Sequence, residues 1–381
     1  MRVAVKPALL RWARERAGLT VDALLRKFPK LEQWELEETQ PTLRQLEAFA
    51  KTTLTPIGYF FLPEPPEDRL PIPDFRTVRE QGVARPSPNL LETVYTMQRR
   101  QGWMRESLEE DGQAPLAFVR SAGLDDDATL VASTIRQGLG LDAGWAQTHR
   151  TWTDALRALR LAAEAAGIIV VTNGIVGNDT HRKLNPGEFR GFVLVDEFAP
   201  FIFMNGADGK AAQMFTLVHE LAHVWFGQSG VFDLRDLDPG DNRVEIACNK
   251  VAAEFLIPEH ELRSVWPEAR LAAEPFQVLA HRFKVSTIVA ARRALDLRLI
   301  TRPHFLDFCR AYQDDERRRA ARASDGGDFY LTQDVRIGRR FALAIIEAAR
   351  EGRLLYRDAY ELTGLYGATF DRYAEELAAA R

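Results

Sequence analysis

His219 and His223 stand four residues apart with Glu220 beside the first, in the run His219-Glu-Leu-Ala-His223. An α-helix turns about 100° per residue, so positions i and i+4 project from one face and both imidazoles can reach a single Zn²⁺ at ~2.0 Å. Glu220 can then act without ligating. It can take a proton from a water on the cation, whose pKa zinc lowers to about 7, and later hand that proton to a leaving amine. The chemistry implied is zinc-assisted hydrolysis of a peptide bond. The alternative is two histidines satisfied within a core, which buries two imidazoles and a carboxylate with no cation to offset them.

The elements that must hold these groups are readable around them. Ala211 to Phe226 interleaves Phe215, Leu217, Val218, Leu221, Val224 and Trp225 with the polar pair, and Gly227 is a stop signal, which predicts a buried helix. Catalytic zinc takes three protein ligands, and Asp233, Asp236, Asp238, Asp241, Glu245 and Glu254 all lie within reach downstream. Glu245 is the preferred third ligand. It opens the apolar-periodic run Glu245 to Leu256, ended by Pro258, so it sits in the first turn of a helix that can pack beside the first. The aspartates fall in a Gly/Pro-containing loop and suit turns, although one of them touching the metal stays open.

The stretch Phe215-Thr-Leu-Val-His-Glu-Leu-Ala-His223, followed by Glu245-Ile-Ala-Cys-Asn249 and Ala252-Ala-Glu-Phe-Leu-Ile-Pro258, resembles the ImmA/IrrE-type metallopeptidases. Phe189-Arg-Gly-Phe192 through Ala199-Pro-Phe-Ile-Phe-Met-Asn205 resembles that family's strands ahead of the active helix. The resemblance implies His219, His223 and Glu245 as Zn²⁺ ligands and Glu220 as general base, in agreement with the spacing. Cys248 departs from the pattern, where a small Ala is usual. It is read as a packed residue on the side of its helix away from Glu245.

Pro7 to Thr77 resembles an XRE-type helix-turn-helix of the kind that heads fused regulator and peptidase proteins, with Leu9-Leu-Arg-Trp-Ala-Arg14, Gly18-Leu-Thr20, Trp34-Glu35 and Pro41-Thr-Leu-Arg-Gln-Leu46 as landmarks. Helices are expected over Pro7 to Ala17, Val21 to Lys27 under a Thr20 cap, Leu31 to Glu38, and Thr42 to Lys51. The element Lys30 to Glu38, which would enter the major groove, carries four carboxylates against one Lys and one Gln. Base and phosphate contacts need the opposite chemistry. Arg11, Arg14, Arg16, Arg26 and Lys27 remain as phosphate ligands, so DNA and a docked protein both stay open as partners.

Helical spacing recurs at Leu91 to Met104, Ala128 to Gly138 and Asp154 to Ala166. A buried strand is expected at Ile168 to Thr172 and further strands at Phe189 to Val195 and Pro200 to Met204, one of these last two as an exposed rim to which an extended peptide could add. The polar segment Asn173 to Pro186, with His181, reads as a solvated loop, the other reading being a segment that lies over the site. Phe276 to Leu297 has a second helix-turn-helix shape under a Ser286 cap, more suited to packing than to DNA. Boundaries follow: 1–70 helix-turn-helix, 71–310 zinc peptidase domain including the segment 275–300, 311–328 linker, 329–381 a C-terminal helical unit.

The fold class expected is α+β, predominantly helical, with a zincin-like core and a small sheet. With 381 residues and 46% hydrophobic content the chain can bury more than one core. A net charge of −4 gives no general pull toward nucleic acid or anionic membrane. Two cysteines form no disulfide framework, and no apolar run approaches a membrane span, so a cytoplasmic setting is expected. The implied role is a regulatory endopeptidase that cleaves a specific protein, such as a repressor, in a stress or mobile-element response. The other class is a DNA-binding regulator, or an antitoxin bound to a toxin, with a structural zinc domain.

Overall fold

Residues 1–74, 85–232, 242–320 and 333–379 are described by the computed structural model. It is mostly helical with a small mixed sheet around a zincin-like core. Two units separate, one holding Met1–Pro71 and the other Thr96–Arg381.

In the first unit, α1 (Pro7–Arg16), α2 (Val21–Leu25), α3 (Leu31–Glu35) and α4 (Leu43–Thr52) enclose Leu9, Leu10, Trp34, Leu46 and Phe49. Thr20 caps α2 as expected, and Thr42 with Gln45 forms a capping box at α4. The third helix is shorter than expected, ending at Glu35 rather than Glu38, and Glu37 takes a positive φ of 63°. Two cations expected to hold phosphate are engaged internally instead. Arg14 forks onto Glu35 at 2.8 and 3.2 Å, and Arg16 pairs with Asp68 at 2.9 Å.

The second unit is built on a four-stranded sheet of order β1-β5-β4-β6, with β1 Ile169–Asn173, β4 Gly191–Leu194, β5 Phe201–Asn205 and β6 Gly230–Phe232. β5 runs parallel to β1 and antiparallel to β4. The expectation that β4 or β5 forms an exposed rim is therefore corrected. Both are interior, because a strand that follows the active helix in sequence, β6, adds outside β4. Asn173 to Pro186 is no loop but contains a hairpin, β2 (Ile175–Val176) and β3 (Asp179–Lys183), with His181 exposed on it.

Helices α5 (Pro88–Glu110), α6 (Ala128–Gly138) and α7 (Trp152–Ala165) precede the sheet. α8 (Lys210–Phe226) lies against β4 and β5, and α9 (Arg243–Leu256) packs on α8 and α6. α10 (Glu259–Ala269), α11 (Pro275–Phe283) and α12 (Thr287–Asp296) follow, with Ser286 capping α12. Phe276, Leu279, Phe283, Val285 and Val289 are all buried in the main core, the packing role expected of this segment. α13 (Arg302–Ala320) continues through the first half of the linker expected over 311–328. Its residues favour helix and no glycine interrupts them before Gly326. The rest of that linker lies outside the described residues.

The C-terminal helices α14 (Arg339–Arg350), α15 (Tyr356–Thr363) and α16 (Ala368–Ala379) attach through the turn Asp334–Gly338, which packs on the edge strand β1. Gly338 has φ 87°, and an added Cβ would meet Ile169 Cγ2 and Val170 O at 3.3 Å, so the close approach needs glycine. From α7, Glu164 accepts the Arg339 N–H at 3.0 Å.

Burial raises the Glu164 carboxyl to about 7 against the pull of Arg160 and the Arg339 and Arg340 amides. A raised carboxyl favours the protonated folded chain. Its stabilisation is therefore full below the ordinary value of 4.5 and lost as pH climbs through about 7. Glu164→Gln, uncharged throughout, should be the more stable protein at pH 8 by on the order of 2–3 kcal/mol and equal to wild type near pH 4. Urea unfolding at both pH values reads this out; a gap of the same size at each would refute it.

Candidate metal centre

α8 carries the first three groups. Its first turn has no side-chain cap, and its end is set by Gly227 in the left-handed region at φ 71°. Between them Leu217, Val218, Leu221, Ala222, Val224 and Trp225 bury the helix on nearly every side. His219, Glu220 and His223 are consequently interior, at 0, 0 and 1% exposed. α9 supplies the fourth group. Asn242 caps it by accepting the Val244 and Glu245 N–H groups, which fixes Glu245 in the first turn, 2% exposed.

Three of these four side chains converge. His219 Nε2 lies 3.1 Å from His223 Nε2 and 3.1 Å from Glu245 Oε2, and His223 Nε2 lies 3.2 Å from Glu245 Oε1. Tetrahedral Zn²⁺ with bonds near 2.0–2.1 Å sets neighbouring donors about 3.3 Å apart. The observed spacing is that of ligands around one ion. Neither Glu245 oxygen meets hydrogen-bond geometry with any described residue despite these short distances, and both Glu220 oxygens are buried without a partner. Two orphaned carboxylates in a dry interior call for a cation. The donor set therefore fits zinc.

Protonation follows the same logic. Burial holds His219 below its ordinary range, against Glu245. Burial pushes Glu245 up, but His219 and His223 outweigh it and hold the carboxyl at about 2. A bound divalent cation would take neutral imidazoles together with an ionised Glu245. Glu220 is raised well above its ordinary value, first by burial and then by Glu245.

Of the other candidate ligands, Glu254 is elsewhere: it pairs with Arg293 and accepts the Glu259 N–H at 3.2 Å. Asp233, Asp236, Asp238 and Asp241 lie outside the described residues. The reading of Cys248 is corrected. Positions three apart on a helix differ by only 60°, so Cys248 shares the face of Glu245. Its Sγ lies within 4.8 Å of ring nitrogens of both His219 and His223. Burial and then Glu245 and Glu220 hold the thiol well above its usual range, so it is a neutral neighbour of the site.

Asn249 was not assigned a role from sequence. Its Oδ1 lies 3.0 Å from His219 Nδ1; accepting that N–H would leave Nε2 free as the ligating atom. The available signal was the i to i+4 spacing from Glu245.

Gly191 on β4 closes the other side. A Cβ there would meet Glu220 Oε1 and Thr216 Cγ2 at 2.8 Å and Phe203 O at 3.0 Å. Since the Phe203 carbonyl belongs to the sheet, the Glu220 side chain must give way. Gly191→Ala is expected to cost about 1–3 kcal/mol of stability and to lower hydrolysis while metal content stays near wild type. Loss of metal in parallel with activity would contradict the assigned contact.

Residues 163–295 match the family model described as IrrE N-terminal-like domain, of the peptidase M78 family. The match runs from the end of α7 through the sheet, α8 and α9 into α12, and it supports a peptidase domain there. Residues 337–376 match a domain of unknown function (DUF8813). No curated protein and no solved structure matches the chain. Among the described residues no helix is long and apolar enough to cross a membrane.

Proposed function

We propose that this chain is a zinc-dependent metalloendopeptidase that cleaves a specific protein partner, with His219, His223 and Glu245 as ligands and Glu220 as general base. The observation that carries this reading is the convergence of three donor side chains at 3.1–3.2 Å beside a buried carboxylate without a partner. Bound zinc would polarise the scissile carbonyl and make an attacking water acidic near neutral pH.

The protein's own groups do the remainder. Asn249 holds the His219 tautomer, Asn242 fixes the first turn of α9 that presents Glu245, and Gly191 leaves room for Glu220. Glu220 takes the water's proton and returns it to the amine that leaves. The apolar surroundings of the site keep bulk water from competing with these contacts.

The N-terminal unit is read as a docking module for the protein that is cleaved, such as a transcriptional repressor. Arg14 is committed to Glu35 and Arg16 to Asp68, while Glu32, Glu37 and Glu38 stay exposed on and just after α3, which suits a basic protein segment better than DNA. A cytoplasmic regulatory role fits this combination.

Elemental analysis of the purified protein tests the centre. About one zinc per chain is expected, together with fragments of a captured partner that accumulate over time and stop on chelation. A chain that takes up no zinc on addition would remove the peptidase reading and leave a binding protein.

A further inference from the structure

A second built cavity lies at the other end of the active helix. Lys210 opens α8 nine residues before His219, about 13 Å along the axis. There a cavity of about 270 Å³ is lined by Arg157 and Arg160 of α7, Thr172 of β1, Lys210 and Gln213 of α8, and Asp334. Three side-chain cations face one carboxylate, and that carboxylate is already spent. Asp334 accepts the Tyr373 hydroxyl at 2.9 Å and pairs with Arg339 at 3.3 Å.

Arg157 and Lys210 are exposed, and half-buried Arg160 has only the charge of Glu164 beside it among the described residues. Arg160 Nη1 is buried without a hydrogen-bond partner. Its neighbour Glu164 accepts the Arg339 N–H, and attracts Arg160 only through its charge. Partial desolvation, with the like charge of Arg160, holds exposed Lys210 below its ordinary range. Thr172 is only 7% exposed and its hydroxyl is unpaired. It sits in register with Met204, which also lines the cavity, so both side chains face it. Finally, the first turn of a 17-residue helix ends here with no side-chain cap, and its amides and dipole favour an anion.

We propose that this cavity binds a small phosphate-bearing anion. Donors dominate the lining, the uncompensated charge is positive, and a phosphate offers more acceptor oxygens and charge than a single carboxylate. The site joins three pieces that are far apart in sequence: α7, the start of the helix that carries His219, and the turn that leads into α14.

Phosphorus NMR titration of inorganic phosphate with the full-length zinc-loaded protein tests this, with chloride balancing ionic strength. One saturable site is expected. Arg160→Gln and Lys210→Ala should each weaken it by at least about tenfold, and Thr172→Val by a smaller factor, with circular dichroism and metal content unchanged. Should Arg160→Gln fail to fold, Lys210→Ala alone decides, since it alters only the first residue of α8. Three outcomes would overturn the proposal: non-saturating binding matched by chloride, equal affinity in wild type and Lys210→Ala, or binding that disappears only with His223→Ala and so belongs to the metal.

Discussion

Glu220→Gln should retain about one zinc per chain and lose peptide hydrolysis by about a hundredfold or more. The substitution is nearly isosteric, and Glu220 is not among the convergent donors, so the His219, His223 and Glu245 set is untouched. What changes is proton affinity. A carboxylate can accept the water's proton and a carboxamide cannot. Burial and Glu245 already raise Glu220 well above an ordinary carboxyl, which makes it a strong base once a cation offsets the neighbouring negative charge. Metal analysis beside gel and mass-spectrometric detection of fragments measures both halves. Cleavage at the wild-type rate by a fully loaded variant would rule Glu220 out as the base.

Glu245→Ala and His223→Ala should each reduce bound zinc from about one per chain to a small fraction, and hydrolysis with it. Each variant leaves two neutral or half-satisfied donors in an interior that water does not reach, too few for a tight tetrahedral site. Glu245→Ala also removes the one carboxylate that converges on the imidazoles among the described residues, and with it the charge that matches the cation. Glu254→Ala is the informative contrast. It breaks the buried pair with Arg293 and lowers stability, yet metal stoichiometry of the folded fraction should hold. Zinc retained by Glu245→Ala would pass the third ligand to another group, with Cys248 the nearest described donor.

The centre was legible in sequence because its parts are local. His219 to His223 is one helical turn, apolar spacing announced α8, Gly227 announced its end, and Glu245 opened a run that Pro258 closed. What failed was non-local or depended on direction. Nothing within β4 or β5 says that β6 will pair outside them, so an interior strand was read as a rim. The face of Cys248 was misjudged although helix geometry fixes it. The third helix of the N-terminal unit was read three residues too long, because helix formers continue to Glu38 while the folded chain turns at Glu37. Asn249 gave no chemical signal of its own, since an amide becomes an orienting group only once a particular imidazole nitrogen is known to face it.

The depth of the groups proposed for catalysis bears on timing. His219, Glu220, His223 and Glu245 expose at most 2% of their surface, less than a peptide backbone needs to touch them. On the proposed reading, cleavage requires an opened form of the domain, and the apparent affinity for any substrate is divided by the fraction of time spent open. A form open about one part in a thousand makes every bystander polypeptide roughly a thousandfold poorer substrate than the chemistry alone allows. Only a partner whose binding energy holds the walls apart recovers that factor. Selectivity then resides in who can open the enzyme, and the cleaved bond needs little signature of its own.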